Sequence, residues 1–179
     1  MEEDDRTLAT RFVAVATIGI AIVSRQLVGQ VLEDMRGADQ NTVAEETLCA
    51  LTAATIEAAS RGFEARQELA EIVLPVLRDI PKSYVDYLAG ARLAAEHDRA
   101  MLQAAEAVHV RLERSQAFYD TLSFTSDGCL LETWMGRISP DDIEESAADR
   151  LARLDLVHVL ETHVWMTETF ARHLGGVSG

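Results

Sequence analysis

From Phe12 to Val23 the chain reads Phe-Val-Ala-Val-Ala-Thr-Ile-Gly-Ile-Ala-Ile-Val, with no charge anywhere in the run. Drawn as a helix, this stretch is apolar on every side. The alternation also suits a strand. However, charged, unbroken flanks extend the segment from about Asp4 to Arg36, which is helix length, and Gly37 is placed to end it. Glu2, Glu3, Asp4 and Asp5 at its start suit the positive end of a helix dipole. A surface helix packed on one side only does not need apolar residues all round. Such a helix is either central to the fold or shared with another subunit. Ala14, Thr17, Ala21 and Ser24 form a small-residue stripe that lets another helix approach closely. At ~18 Å, the run from Phe12 to Val23 is too short to cross a bilayer core of ~30 Å.

The remaining sequence repeats the helical pattern. Thr42-x-x-Glu45 reads as a capping box opening a second segment, with Ala44, Leu48, Leu51, Thr55 and Ala58 on its apolar face. Arg61-Gly62 breaks or bends it. Phe63 to Ile80 continues with Leu69, Val73, Val76, Leu77 and Ile80 on one side, and Pro75 predicts a kink or break. A third long segment spans about Tyr84 to Leu122. Its inner stripe is Leu88, Ala91, Ala95, Leu102, Ala105, Leu112 and Tyr119. Ser126-Asp127-Gly128 signals a turn. Leu130, Leu131, Trp134 and Met135 then predict a short helix folded back on the rest. Ser139-Pro140-Asp141-Asp142 opens the last helix, read as continuous from about Pro140 to Leu174 and stopped by Gly175-Gly176. With 179 residues, three prolines and no linker or repeat, the chain is expected to form one all-α domain over residues 1–179. The expected shape is an elongated bundle of four long helices plus short helical segments.

Charge narrows the partners. Thirty acidic residues against 16 basic ones give a formal net charge of -14. Such a surface repels phosphate backbones and anionic membranes, which argues against nucleic acid or a membrane and leaves cations or a basic protein patch. Cys49 and Cys129 lie far apart, neither in a C-x-x-C pair, and are expected as buried free thiols in a reducing compartment. The acidic start is unlike the basic front of a signal peptide, so a soluble cytoplasmic protein is expected.

No Gly-rich phosphate loop, G-x-S-x-G, H-E-x-x-H, EF-hand or haem-attachment motif is present. The chemistry open to the chain lies in its five histidines. Placed at ~100° per residue, His109 falls on the inner stripe of the third segment. On a last helix phased by Ile143, Ala147, Leu151, Leu154 and Trp165, His158 and Glu161 point inward one turn apart, while His163 points the other way beside Val159 and Phe170. His109, His158 and Glu161, with Glu106 one turn before His109, are therefore the candidate metal ligands, for Fe, Mn or Zn. The plain alternative is a hydrogen-bonded pair that sets helix register. Glu46 and Glu57 project away from the apolar face of the second segment, leaving a di-metal site short of carboxylates.

The stretch Leu160-Glu-Thr-His-Val-Trp-Met-Thr-Glu-Thr-Phe170 resembles the closing helix of Dps-type ferritin-like proteins, with Glu161 four residues before Trp165-Met166. Glu68-Leu-Ala-Glu71, Tyr84-Val-Asp-Tyr-Leu88, and Met101 followed by His109 come in a similar order upstream. The His-Trp-Asn stretch of that family's ferroxidase centre is absent; Thr47 to Thr55 stands in its place. The resemblance implies a ferritin-like bundle and a homo-oligomer, and no ferroxidase residue carries over. Two functional readings follow. The first is a non-catalytic bundle acting through self-association or a protein partner. The second is a ferritin-like metal protein, and any enzyme among the readings would be a metal-dependent oxidoreductase of that type.

Overall fold

The computed structural model describes residues 4–86, 99–124, 129–139 and 144–176; from Arg99 to Leu102 and at Cys129 only the backbone is described. Eight helices and no strand occur among them: α1 (Asp5–Asp34), α2 (Gln40–Gly62), α3 (Gln67–Arg78), α4 (80–86), α5 (Arg99–Tyr119), α6 (Cys129–Ile138), α7 (Ala147–Arg153) and α8 (Leu156–Leu174). His97, Leu88, Ala91, Ala95, the Ser126-Asp127-Gly128 turn and the span from Pro140 to Ile143 lie outside the described residues, as does the side chain of Leu102.

The helix ends have local causes. Asp4 caps α1 by accepting from the Thr7 amide at 2.8 Å, and Gly37, with φ of 96°, follows its end. The cap of α2 is Asp39, which accepts from the Thr42 amide at 2.7 Å. The capping box expected at Thr42 therefore gives way to a cap three residues earlier, because an aspartate acceptor was available there. Pro75 stays inside α3, and the chain breaks at Asp79 instead.

The central element is α2, not α1. It packs against α1, α3, α5, α6 and α8, and its residues from Glu46 to Thr55 are buried without interruption. Small side chains make this enclosure feasible: Cys49, Ala50, Ala53 and Ala54 let neighbouring helices close in on all sides. Thr52 and Thr55 satisfy their hydroxyls on the carbonyls of Leu48 and Leu51. At the end of α2, Gly62 is pressed against α8. A Cβ there would lie 2.3 Å from the Ala171 Cβ and 2.8 Å from the Glu168 carbonyl oxygen. Phe12 joins the same end, edge-on to Phe63 and stacked on Phe170.

The short helix expected from Leu130, Leu131, Trp134 and Met135 is α6; all four side chains are buried, and the Trp134 Nε1–H donates to Thr47 Oγ1 at 3.2 Å. The last long helix is not continuous. Residues 144–146 are non-helical, Ser146 caps the short α7, and a turn at Leu154–Asp155 separates α7 from α8. Asp155 there takes a left-handed φ of 51°.

α1 uses only part of its apolar surface. Leu8, Phe12, Ala16, Ile20, Leu27 and Val31, spaced about one turn apart, are buried on α2, α3 and α8. Across the helix, Val15, Ile18 and Ile22 remain 52, 59 and 63% exposed. As a whole α1 is long and apolar enough to cross a membrane, with a mean hydropathy of 1.8 over eighteen residues, although the strictly apolar run is shorter. Its inner face is core in this fold.

Candidate functional site

Two polar centres sit on α2. The first is Glu46, buried near the start of the helix. Its carboxylate accepts from Ser115 Oγ at 2.7 Å and Tyr119 Oη at 2.8 Å. It also accepts from Arg137 Nε at 2.6 Å and Nη2 at 2.7 Å. The guanidinium in turn lies 4.8 Å from the centre of the Phe118 ring. Burial alone would raise the Glu46 pKa; the guanidinium and the two hydroxyls outweigh it and hold the carboxyl below its usual range. Burial and the neighbouring carboxylate push the Tyr119 phenol well up, and burial does the same to the Cys49 thiol. Glu46 ties α2, α5 and α6 together with both oxygens occupied. The expectation that it projects away from the core is overturned: α2 is buried all round, so its polar side is interior too.

The second centre is His163 on α8, 7% exposed. Its Nε2 lies 2.9 Å from Thr55 Oγ1. The threonine hydroxyl already donates to the Leu51 carbonyl at 2.7 Å, so the imidazole N–H is on Nε2 and donates to Thr55. Nδ1 is then an acceptor; it has no hydrogen-bond partner among the described residues and is not sealed from solvent. Burial pulls the His163 pKa down to about 4, which keeps the ring neutral near pH 7. The ring forms part of the floor of a groove of about 610 Å³ between α1 and α8, walled by Phe12, Val15, Ile22, Val159, Met166 and Phe170. A second groove of about 860 Å³ runs along the other flank of α1, against Leu48, Val76, Ile80 and Tyr84. Ile22 borders both, while Ile18 lines neither and stands on the crest between them.

The sequence-derived metal ligands are not gathered. His109 is half-buried on α5, with Nε2 2.9 Å from Asp86 Oδ1 on α4. Glu106 is exposed. His158 and Glu161 are exposed as well, His158 at the edge of the first groove. Among the described residues no three His, Cys, Asp or Glu side chains converge on a point that could hold a metal. The reason is the turn at Leu154–Asp155. It shifts the helical phase, so Leu156, Leu160, His163, Val164, Thr167 and Ala171 face inward. Trp165 and Met166, assigned to the inner side or to a pair beside it, are 66 and 59% exposed. Phase counted through an unbroken helix from Ile143 therefore exchanged His163 for His158. The strip of Val159, His163 and Phe170 noted in the sequence was the available signal. Glu46 gave no comparable signal, since its partner Arg137 is 91 positions away.

No family model, curated protein or solved structure matches this chain.

Proposed function

We propose that this chain is a non-catalytic association module that pairs with a second copy of itself through the outward face of α1. The observation that carries this is the crest Val15, Ile18 and Ile22. These residues follow a three–four spacing that continues outward to Arg11 and Arg25, all of them exposed. That is the spacing of a helix–helix seam. Ala14, Thr17 and Ala21 beside it are small and exposed, so a partner helix can approach closely.

Three further features favour a second copy as the occupant. The stretch from Phe12 to Ser24 bears no charge in a chain of net charge -14, and arginines bound it. The acidic excess therefore does not oppose docking at this strip. The crest lies between two apolar grooves, so a two-fold pairing can set the ridge of each copy into a groove of the other. Val15, Ile18, Ile22 and Met166 leave on the order of 400 Å² of apolar surface uncovered per copy, within the range of the largest patch on a monomer. Together with the apolar groove walls beside them, covered on both copies, this approaches the ~1,000 Å² total at which specific interfaces begin.

Sedimentation equilibrium tests the reading. The parent chain is expected to dimerise, and Ile18→Asp to weaken the dimer by ~100-fold or more, as removal of a central interface residue does. Circular dichroism of the variant should be unchanged because Ile18 touches solvent, not core. A chain that stays monomeric to its solubility limit, or an Ile18→Asp dimer as tight as the parent, overturns the reading. Transfer of the chain onto lipid vesicles instead of into dimers would also overturn it.

A further inference from the structure

The groove between α1 and α8 carries one feature that helix pairing does not require. Its lining is mostly apolar, with Gln26, His158, Thr162 and Thr167 the polar exceptions beside His163 and no Asp, Glu, Lys or Arg, and its floor presents a ring-nitrogen lone pair that opens onto the groove. Among the described residues nothing pairs it, so its donor comes from whatever occupies the groove. Two devices keep it available. Thr55, locked onto the Leu51 carbonyl, can only accept from His163, which fixes the tautomer and turns Nδ1 into the free acceptor. Gly19, opposite on α1, leaves the Nδ1–Cε1 edge of the ring uncovered. A Cβ at that position would sit 3.3 Å from Cε1 and 3.6 Å from Nδ1.

We infer that this groove binds a small, uncharged apolar molecule bearing one hydroxyl group, a phenol or an alcohol, whose O–H donates to Nδ1 of His163 while its hydrocarbon part lies between Phe12, Val15, Met166 and Phe170. The volume of about 610 Å³ is that of a small-molecule site. A carboxylate does not fit. It brings no proton for Nδ1, and the lining holds no Arg or Lys to meet its charge. A neutral hydroxyl satisfies the acceptor and loses little on leaving water. Val15 and Ile22 serve both the crest and this groove, so binding is also read on Ile18→Asp, whose altered side chain lines neither groove and which removes pairing as a competitor. Variants at the crest and at the floor therefore fail separately.

A matched set of probes tests it on the full chain by calorimetric titration: para-butylphenol, its methyl ether, and para-butylbenzoate. The phenol should bind ~10-fold tighter than the ether, the difference one buried hydrogen bond makes. The benzoate should bind no better than the ether. His163→Leu should erase the preference for phenol over ether while leaving the helical spectrum intact. Gly19→Ala, which adds a methyl against the ring edge and favours helix, should weaken phenol binding several-fold. Equal binding of phenol and ether, tighter binding of the benzoate, a preference that survives His163→Leu, or no phenol binding by the parent up to the probe's solubility each overturns the inference.

Discussion

Glu46 and His163 are both polar, both buried, and both anchored to α2, yet they do opposite things with their lone pairs. Glu46 has four hydrogen bonds from three partners on α5 and α6, and an arginine that compensates its charge. Among the described residues His163 has one bond, to Thr55, no charge that shifts its titration, and a ring nitrogen turned toward a groove. A buried polar group whose capacity is filled specifies how helices meet. One whose capacity is half filled at the edge of a cavity keeps affinity in reserve for something else. Cost separates them further. Glu46 stays ionised because its partners outweigh desolvation; His163 stays neutral because nothing outweighs it.

That contrast can be broken by substitution. The largest effect is expected for Glu46→Ala, which leaves Arg137, Ser115 and Tyr119 without their shared acceptor. Urea unfolding should show a loss of about 4 kcal/mol, since removing one partner of a buried pair strands the others. Gly62→Ala probes the seam that brings α8, and with it His163, onto α2. The added methyl meets Ala171 and the Glu168 carbonyl, and a loss of about 3 kcal/mol is expected from overpacking. Gly29→Ala is the matched control: nothing lies within 4 Å of a Cβ there, and it should gain about 0.5–1 kcal/mol from helix propensity.

Acid sharpens the comparison, and the signs follow from the two shifts. The His163 pKa is lowered in the folded chain to about 4, against an ordinary value of 6.5. Its contribution is intact above pH 6.5 and is lost as pH falls toward 4, because the unfolded chain takes up a proton that the folded chain refuses. The expected loss is about 2 kcal/mol by pH 5, and His163→Leu should abolish that part of the pH dependence. The Glu46 pKa is also lowered, so its contribution is present above its ordinary value of 4.5 and fades as pH drops further. Two successive acid phases, the first missing in His163→Leu and the second in Glu46→Ala, distinguish the centres. Among the substitutions at the two polar centres the smallest effect is Thr55→Val, about 1 kcal/mol, from the loss of one hydrogen bond to His163.

Much of the architecture was legible because it rests on local signals. The absence of strands among the described residues, the end of α1 near Gly37, the fold-back of α6 and the end of α2 at Gly62 follow from periodicity and glycine placement. The site was less legible. Phase was extrapolated across Leu154–Asp155, where no glycine or proline marks the turn, and a non-glycine residue in the left-handed region gives little warning. A single phase slip moved His158 and Glu161 from the interior to solvent and His163 from the far side to the floor of a groove.

By itself the sequence determined that this chain is helical and that its first helix carries more apolar surface than one packed face can use. Both properties are written in residues a few positions apart, where sterics, capping and periodicity act. Tertiary structure alone decided which helix is central, which side of α1 stays open, and which polar side chains share the interior. Those depend on contacts between residues more than a hundred positions apart, such as Thr55 with His163, and on small rotations between helices that accumulate beyond the reach of a local pattern.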